Sequence, residues 1–249
     1  MRLTRVFVEA ALEAGTRVAL EGSAAAHVTR VLRLRKGDSL TLFNGRGGEY
    51  AAVIEATRGA AVAVVVGAHD RVERESPLQV SVAQGISRGE RMDLVVQKAT
   101  ELGVHAILPV LTERSVVRLD ERQAARKVQH WRAVAIGGCE QCGRNRVPHV
   151  APPRPLREFI RDESGPRPAA RLLLSPAAPG RLDDLPRGLG AITVLIGPEG
   201  GLTDEEERAA VAAGYAAVGL GPRVLRTETA ALVVLALLQR QFGDLGRAT

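Results

Sequence analysis

Short apolar stretches separated by turn residues fill the first seventy residues of the chain. These stretches lie at 5–8, 39–43, 49–54 and 61–66, and glycine, asparagine or charged residues bound them. Asn44-Gly45, with two more glycines in the next three residues, is typical of a β-hairpin. The spacing predicts four strands that form a small barrel or closed sheet.

One segment of this region, residues 27–36, has helical periodicity instead. Val28 is followed by apolar residues at the i+3 and i+4 positions, which predicts one buried helix face. Three basic residues would then project from another face, where they could contact phosphates: Arg30, Arg33 and Lys36. A solvated helix face explains the same pattern equally well. His27 alone is better explained as a structural, hydrogen-bonding residue.

The pattern changes after residue 70. Residues 70–77 are charged and end in proline, which is the composition of a linker. Beyond the linker, short apolar stretches alternate with longer helical patterns. The stretches lie at 78–83, 106–110, 172–174, 191–196 and 218–220, and the helical patterns at 90–102, 119–136 and 227–242. This alternation predicts an α/β domain with parallel strands, and we expect domains of 1–72 and 73–249.

The apolar stretch at 191–196 leads into a glycine loop and then a helix start. Gly197, Gly200 and Gly201 let the backbone approach a ligand closely. Thr203 begins a predicted capping box with the glutamate three residues later. Neither a P-loop lysine nor a G-x-G-x-x-G motif is present. Because the helix start is acidic, we expect a ligand other than a polyphosphate.

A second elaborate loop covers residues 221–230, and Thr227 is predicted to cap the final helix. That helix is apolar on nearly all sides from Ala230 to Leu238, which predicts burial in a core or against a second subunit. The apolar run is too short to span a bilayer, and Glu9 interrupts any signal peptide. We therefore expect a cytoplasmic protein without a membrane segment.

Charge, aromatic content and cysteine spacing indicate which kinds of ligand the protein could bind. The formal net charge is +6, which favours an anionic partner such as nucleic acid. Aromatic residues are only 3%, which argues against a base-stacking sheet. Cys139 and Cys142 have zinc-knuckle spacing, but no second pair supplies the remaining ligands, so we expect no metal. A redox role for this pair remains an alternative.

Five blocks of sequence resemble the RsmE family, bacterial methyltransferases that act on N3 of a uridine in 16S ribosomal RNA. The two glycine loops, Leu195–Gly201 and Leu220–Ala230, resemble the cofactor loops of that family. The other matching blocks are His27–Arg33, Glu101–Val104 with Glu113-Arg114, and Glu140–Arg144. The resemblance implies a PUA-like N-terminal β-barrel followed by a SPOUT domain. A SPOUT domain is an α/β fold with a C-terminal trefoil knot, which is rare among proteins.

The resemblance also implies a site for S-adenosylmethionine (SAM) between the knot loops, usually at a homodimer interface. The implied cofactor-binding residues are Leu174, Ile196, Gly197, Pro198, Glu199, Gly200, Gly201, Leu220, Gly221, Val224, Leu225, Thr227 and Ala230. The implied RNA-binding residues are His27, Arg30, Arg33, Lys36, Arg114, Arg144 and Arg146. Ser175-Pro176 stands where relatives often carry His-Pro, so this chain departs from the family pattern at the end of the strand that should line the cofactor pocket.

Catalysis is expected to involve Arg226, Glu228 and Arg144, without assigned roles. Glu228 would either accept the N3 proton or brace Arg226, and bracing is the favoured interpretation. The expected function is SAM-dependent methylation of N3 of a uridine in 16S rRNA, within the 30S subunit and by a homodimer. One alternative is another SPOUT methyltransferase with a tRNA or ribose 2′-hydroxyl target. A second is a non-catalytic RNA-binding assembly factor, although both cofactor loops look intact.

Overall fold

The computed structural model describes residues 4–59, 61–162 and 168–246. Contacts divide the chain into two compact units. The first unit contains the chain up to Glu75 together with Ile136–Val147, and the second contains Ser76–Ala135 and the residues from Pro148 onward. The first unit is therefore discontinuous in sequence, and the pattern of apolar residues does not indicate that residues 136–147 return to it.

The first unit is built on a five-stranded sheet. Its strands are β1 (Arg5–Phe7), β2 (Arg17–Leu20), β3 (Ser39–Phe43), β4 (Glu49–Arg58) and β5 (Ala61–Asp70), in the order β1-β3-β4-β5-β2. The β1–β3 pair is parallel and the other pairs are antiparallel. Alternate residues of β5, such as Val62 and Val64, enter the core, as the period of two requires. The four predicted strands are present, and β2 is an additional strand.

The helical segment of the first unit differs from the prediction. Helix α1 (Gly22–Ala26) continues into a π-helical turn at His27–Leu32, and Arg33 ends it with a left-handed φ of 58°. Val28 is buried, whereas Val31 is 53% exposed. The prediction of one regular helix over 27–36 is therefore wrong, because π-helical spacing and the early end remove the common face for Arg30, Arg33 and Lys36.

The second unit contains a parallel sheet, as the alternating pattern predicts. Its strands are β6 (Gln79–Gly85), β7 (Ala106–Leu111), β8 (His149–Val150), β9 (Arg154–Pro155), β10 (Ala170–Leu174), β11 (Ala191–Ile196) and β12 (Ala216–Val218). The order is β12-β10-β11-β6-β7-β8, and β9 also pairs with β7. All these pairs are parallel. Strands β7 and β11 are nearly continuously apolar, as expected where both faces of a parallel sheet are covered.

Five helices of the described chain follow α1. They are α2 (Arg91–Glu101), α3 (Glu121–Cys142), α4 (Leu156–Arg161), α5 (Asp204–Ala212) and α6 (Thr227–Gln241), and a 3₁₀ turn lies at Leu182–Asp184. Gly103, with φ of 78°, follows α2 as a C-terminal glycine does. Helix α3 runs six residues past the predicted end at 136, through two glycines. None of the helices in the described ranges is long and apolar enough to cross a membrane.

Helix α6 packs one face into the second unit. Ala231, Val234, Leu235 and Leu238 are buried there, while Leu237 is 46% exposed. The predicted burial of this helix is therefore confirmed for one face, which lies in the core of the second unit. Buried Gln239 accepts a hydrogen bond from Ser76 Oγ (2.5 Å) and donates one to the Gly103 carbonyl (3.1 Å).

Candidate active site

A cavity of about 460 Å³ opens in the second unit beside the ends of β10, β11 and β12. Ligands of open α/β sheets bind at the carboxyl ends of the strands, which is where this cavity lies. Its lining residues are Arg91, Leu174, Ser175, Pro176, Ile196, Gly197, Pro198, Glu199, Gly200, Gly201, Leu202, Glu207, Val218, Leu220, Gly221, Arg223, Val224, Leu225, Arg226, Thr227, Glu228 and Ala230. The structure thus brings together every residue predicted to bind the cofactor, although their contact with a ligand stays a prediction.

The first wall of the cavity is the loop of residues 197–202, which we call the first loop. Gly201 has a left-handed φ of 69°, and its N–H donates to the Pro198 carbonyl at 2.9 Å. A Cβ on Gly197 would lie 2.9 Å from the Gly201 carbonyl carbon. Side chains at either glycine would therefore distort the turn, which explains the glycine spacing that the sequence shows.

Arg114 holds this loop from outside. Its Nη1 donates to the carbonyls of Gly200 (3.1 Å) and Leu202 (2.9 Å). The sequence predicts an RNA contact for Arg114. Its position favours support of the first loop, although most of the side chain remains exposed.

The capping box at the start of α5 is confirmed. Thr203 Oγ1 accepts from the Glu206 N–H at 3.2 Å, and Glu206 Oε2 accepts from the Thr203 N–H at 2.9 Å. The other carboxylate oxygen of Glu206 accepts from the Glu113 N–H at 2.8 Å. Glu206 is buried, so these backbone donors satisfy a carboxylate that water cannot reach.

The second wall is the loop of residues 219–227, which we call the second loop. Thr227 joins it to the first loop, because its Oγ1 donates to the Gly197 carbonyl at 2.6 Å. Gln84 Nε2 donates to the same hydroxyl at 2.8 Å. The prediction that Thr227 caps α6 is wrong, since Arg226 occupies the N-cap position and Thr227 is already helical. Gln84 was not anticipated, because it lies just after the predicted strand at 78–83 and carries no motif that marks it.

The end of β6 approaches the first loop too closely for a side chain. A Cβ on Gly85 would overlap the backbone nitrogen of Pro198. The stretch that follows β6 therefore lies beside the cavity, and it brings Arg88 and Arg91 to the first loop.

Acidic and basic side chains are balanced among the lining residues. Burial raises the pKa of Glu199, but hydrogen bonds from its own backbone, from the Arg88 N–H and from Arg91 outweigh burial and hold that pKa below its ordinary value. Glu228 is 8% exposed and its Oε1 lies 3.9 Å from Arg91 Nε. Its Oε2 is buried and has no hydrogen-bond partner within the described residues. The structure thus pairs Glu228 with Arg91 and shows no bracing of Arg226, which is exposed.

The residues predicted to bind RNA in the first unit fall into two groups. Arg30, Arg33 and Lys36 are exposed. His27 is half-buried, with Nδ1 3.7 Å from Glu140 Oε2, and Glu140 Oε1 accepts from the Phe7 N–H at 3.1 Å. These contacts favour the structural role for His27.

Arg144 belongs to the interior of the first unit. Its Nη2 and Nε bind the Glu75 carboxylate at 2.5 and 3.1 Å. Burial lowers the pKa of Arg144, but the hydrogen bonds and charge of Glu75 outweigh burial and raise it. The buried ion pair favours a structural role over the predicted catalytic or RNA contact. Arg146 is 54% exposed, with its Nε 3.6 Å from Glu73, and stays available to a partner.

Cys139 and Cys142 lie in the last turns of α3. Cys139 is buried, and burial raises the pKa of its thiol to about 12 despite the opposing effect of Arg144. Such a thiol is a poor nucleophile and a poor metal ligand at neutral pH. Across the described ranges, no cluster of three or more His, Cys, Asp or Glu side chains could hold a metal ion.

Two family models match this fold and together identify an RNA methyltransferase with a PUA domain. A family model described as the RNA methyltransferase domain matches residues 74–239, and one described as the RNA methyltransferase PUA domain matches residues 20–66. The ribosomal RNA small subunit methyltransferase E of Buchnera aphidicola is 30% identical over 98% of this chain and 98% of that protein. The protein of that name from Mycobacterium tuberculosis is 34% identical over 92% of this chain and 88% of its own.

Solved structures give the same result for the whole chain. The ribosomal RNA small subunit methyltransferase E of Neisseria gonorrhoeae, bound to S-adenosylmethionine, has a TM-score of 0.89 at 38% identity and covers 98% of this chain and 99% of its own. A Legionella pneumophila protein in complex with SAM has a TM-score of 0.94 at 42% identity, and the match covers 98% of this chain and 100% of that protein. The chain belongs to the ribosomal RNA small subunit methyltransferase E family. The PUA-like domain is confirmed, and the SPOUT class and the trefoil knot stay predictions.

Proposed function

We propose that this protein transfers a methyl group from SAM to N3 of a uridine in the 16S rRNA of the small ribosomal subunit. The observation that carries this proposal is the cavity between the first and second loops, at the carboxyl ends of parallel strands. Relatives of the same family that are solved with SAM support the choice of cofactor. Relatives named for the small ribosomal subunit support the choice of RNA.

The residues of the cavity fit SAM. Apolar side chains such as Leu174, Ile196 and Leu220 suit the adenine ring, and the volume is in the range of cofactor pockets. The unpartnered oxygen of Glu228 suits an ammonium or hydroxyl donor. Glu199 and Glu207 disfavour a polyphosphate. When bound, SAM supplies the methyl group as an electrophile.

The chain's own residues then position the nucleotide and help the N3 proton to leave. Arg226 is exposed and lines the cavity, so it can contact a uracil oxygen or clamp a phosphate. Methylation requires the N3 proton to be lost, and an arginine beside the ring stabilises the resulting anion. We assign Arg226 this electrostatic role and leave the base unassigned.

Binding of the RNA backbone falls to the first unit in this proposal. Arg30, Arg33 and Lys36 are exposed within seven residues of chain. Contacts from such residues position an RNA without selecting its sequence. We expect affinity for the 30S subunit to fall steeply as salt rises, with a smaller slope when one of these cations is replaced.

The test is methyl transfer from labelled SAM to 30S subunits that lack the modification, followed by nucleoside analysis. We expect N3-methyluridine, strongly reduced transfer by Arg226→Ala, and full activity of Arg208→Ala, which removes an exposed arginine outside the cavity lining. A 2′-O-methylated nucleoside, or transfer only to tRNA, would instead show another SPOUT methyltransferase. Absence of SAM binding would favour a non-catalytic RNA-binding factor.

We also propose that two copies associate through the second unit, and that the protein acts in the cytoplasm on the 30S subunit. The partly exposed apolar side of α6 supports the association, and Leu237 on that side is 46% exposed. Light scattering should give the mass of a dimer. Leu237→Glu should give a monomer, whereas Val211→Glu, at another exposed apolar position on α5, should leave the dimer intact. A wild-type monomer contradicts the proposal.

A further inference from the structure

The first loop and the start of α6 each place a carboxylate at the cavity. Glu199 lies in the first loop, and Glu228 lies in the first turn of α6, directly after the second loop. Two carboxylates at one cavity repel each other and favour separation of their loops unless a cation lies between them. The cation in this structure comes from a third element, helix α2.

Arg91, the first residue of α2, contacts both carboxylates. Its Nη1 binds Glu199 Oε1 at 2.5 Å, and its Nε lies 3.9 Å from Glu228 Oε1. Glu199 Oε1 also accepts from the Arg88 N–H at 3.0 Å. The guanidinium has several donors in a fixed plane, so one side chain can serve two carboxylates at once.

The approach of this third element is fixed by the backbone. Gly85, at the end of β6, leaves no room for a Cβ beside Pro198, so the chain that leads to α2 lies directly against the first loop. The backbone therefore places Arg91 beside the cavity, and its position does not depend on side-chain rotation alone.

Glu228 keeps one oxygen without a partner. Its Oε2 is buried and has no hydrogen bond within the described ranges, while Oε1 faces Arg91. A buried carboxylate oxygen without a donor is costly, and native structures retain one where a ligand supplies the donor. Glu228 lines the cavity and is only 8% exposed, so a molecule bound in the cavity is the natural source of a donor for this oxygen.

Building on the proposed function, we propose that Arg91 is a positioning residue for SAM binding. It holds the Glu199 and Glu228 carboxylates together across the two loops. In doing so it presents the free oxygen of Glu228 as an acceptor for an N–H or O–H donor of SAM. Arg91 itself acts through these carboxylates and need not touch the reacting atoms.

The test measures the Kd of SAM by isothermal titration calorimetry with the full-length protein. We expect Arg91→Ala to raise Kd about tenfold, the scale of one lost charge-assisted hydrogen bond. Arg91→Lys should recover part of this loss. Lys98→Ala is the matched control, because Lys98 lies on the same helix with the same 41% exposure and forms its ion pair with Glu101, away from the cavity lining. It should leave Kd unchanged.

Glu228→Gln separates positioning from general stability. We expect it also to raise Kd. The double variant Arg91→Ala with Glu228→Gln should raise Kd by less than the product of the two single effects, because part of the effect of Arg91 passes through Glu228. An Arg91→Ala protein that binds SAM within twofold of wild type overturns the proposal. If Arg91→Ala does not fold, Arg91→Lys and Glu228→Gln decide.

Two further outcomes have distinct meanings. If Glu228→Gln keeps its Kd for SAM but loses turnover with 30S subunits, the free oxygen serves the uracil and the proposal for SAM is refuted. If the wild-type protein binds no SAM, the proposed function fails first. The two failures are therefore distinguishable in one titration series.

Discussion

Replacing Thr227 with valine tests how the two loops are joined. Valine has nearly the same shape as threonine but lacks the hydroxyl, so the change removes two buried hydrogen bonds with little change in packing. The lost bonds are the donation to the Gly197 carbonyl at 2.6 Å and the acceptance from Gln84 Nε2 at 2.8 Å. Gln84 keeps a bond to the Gly85 carbonyl at 3.1 Å, so only part of its hydrogen bonding is lost.

The magnitude follows from these two bonds. Each buried hydrogen bond contributes about 1 kcal/mol net, so Thr227→Val should lower the free energy of unfolding by about 2 kcal/mol. For a domain of this size that change lowers Tm by about 4–8 °C. Urea denaturation can be followed through Trp131, the single tryptophan of the chain, which is buried in the second unit.

Thr227→Ser is the matched control for this change. It keeps the hydroxyl and loses a methyl group, so it should cost less than about 1 kcal/mol. The reasoning is refuted if Thr227→Val unfolds within about 0.5 kcal/mol of wild type, a difference typical of neutral surface changes. It is equally refuted if serine destabilises as much as valine, since packing of the methyl group would then dominate.

Three further predictions concern the first unit. Arg144→Ala should lower the free energy of unfolding by about 2–3 kcal/mol, because it removes the buried partner of Glu75. Arg146→Ala, at an exposed ion pair, should lower it by less than about 0.5 kcal/mol. Thermal unfolding followed by circular dichroism compares the two variants. Burial raises the pKa of Glu49, but its arginine partners outweigh burial and hold that pKa below its ordinary value of 4.5. The stability that Glu49 contributes should therefore be present above pH 4.5 and be lost as the pH falls below 4.5. The difference in unfolding free energy between the wild-type protein and Glu49→Gln should therefore become smaller below pH 4.5. A difference that stays constant with pH would contradict this prediction. With a pKa of about 12, the Cys139 thiol should be about 10⁻⁴ ionised at pH 8 and resist iodoacetamide until denaturant is added; labelling of the native thiol, read by mass spectrometry, would refute this.

Local sequence patterns were sufficient to predict several elements of the second unit. The strand Ala191–Ile196 and the capping box at Thr203 follow from short-range rules, because a buried strand and a helix start depend mainly on neighbouring residues. The lining of the cavity was predictable for a different reason. The resemblance identified both loops, and parallel strands bring their carboxyl ends to one edge.

Long-range contacts explain what the sequence did not reveal. Arg91 and Glu199 are far apart in the chain, and nothing in the local pattern around Arg91 distinguishes it from a solvated helix residue. Arg144 was predicted to contact RNA because arginine can clamp a phosphate or stabilise a developing anion. The partner that buries it, Glu75, belongs to a segment with the composition of a linker. The end of α3 was misjudged because tertiary packing outweighs the low helix propensity of two glycines.

The discontinuity of the first unit bears on the order in which the chain can fold during synthesis. By the time residue 75 has left the ribosome, all five strands of its sheet exist, but Ile136–Val147 have not yet been made. Buried Arg5 donates to Asn145 Oδ1 at 2.6 Å and to the Arg144 carbonyl at 3.1 Å, and both acceptors come from that later segment. The nascent N-terminal unit therefore lacks these two acceptors for Arg5 while sixty further residues emerge, from Ser76 to Ala135. We therefore expect residues 1–75 alone to be less stable than the complete first unit, which includes Ile136–Val147.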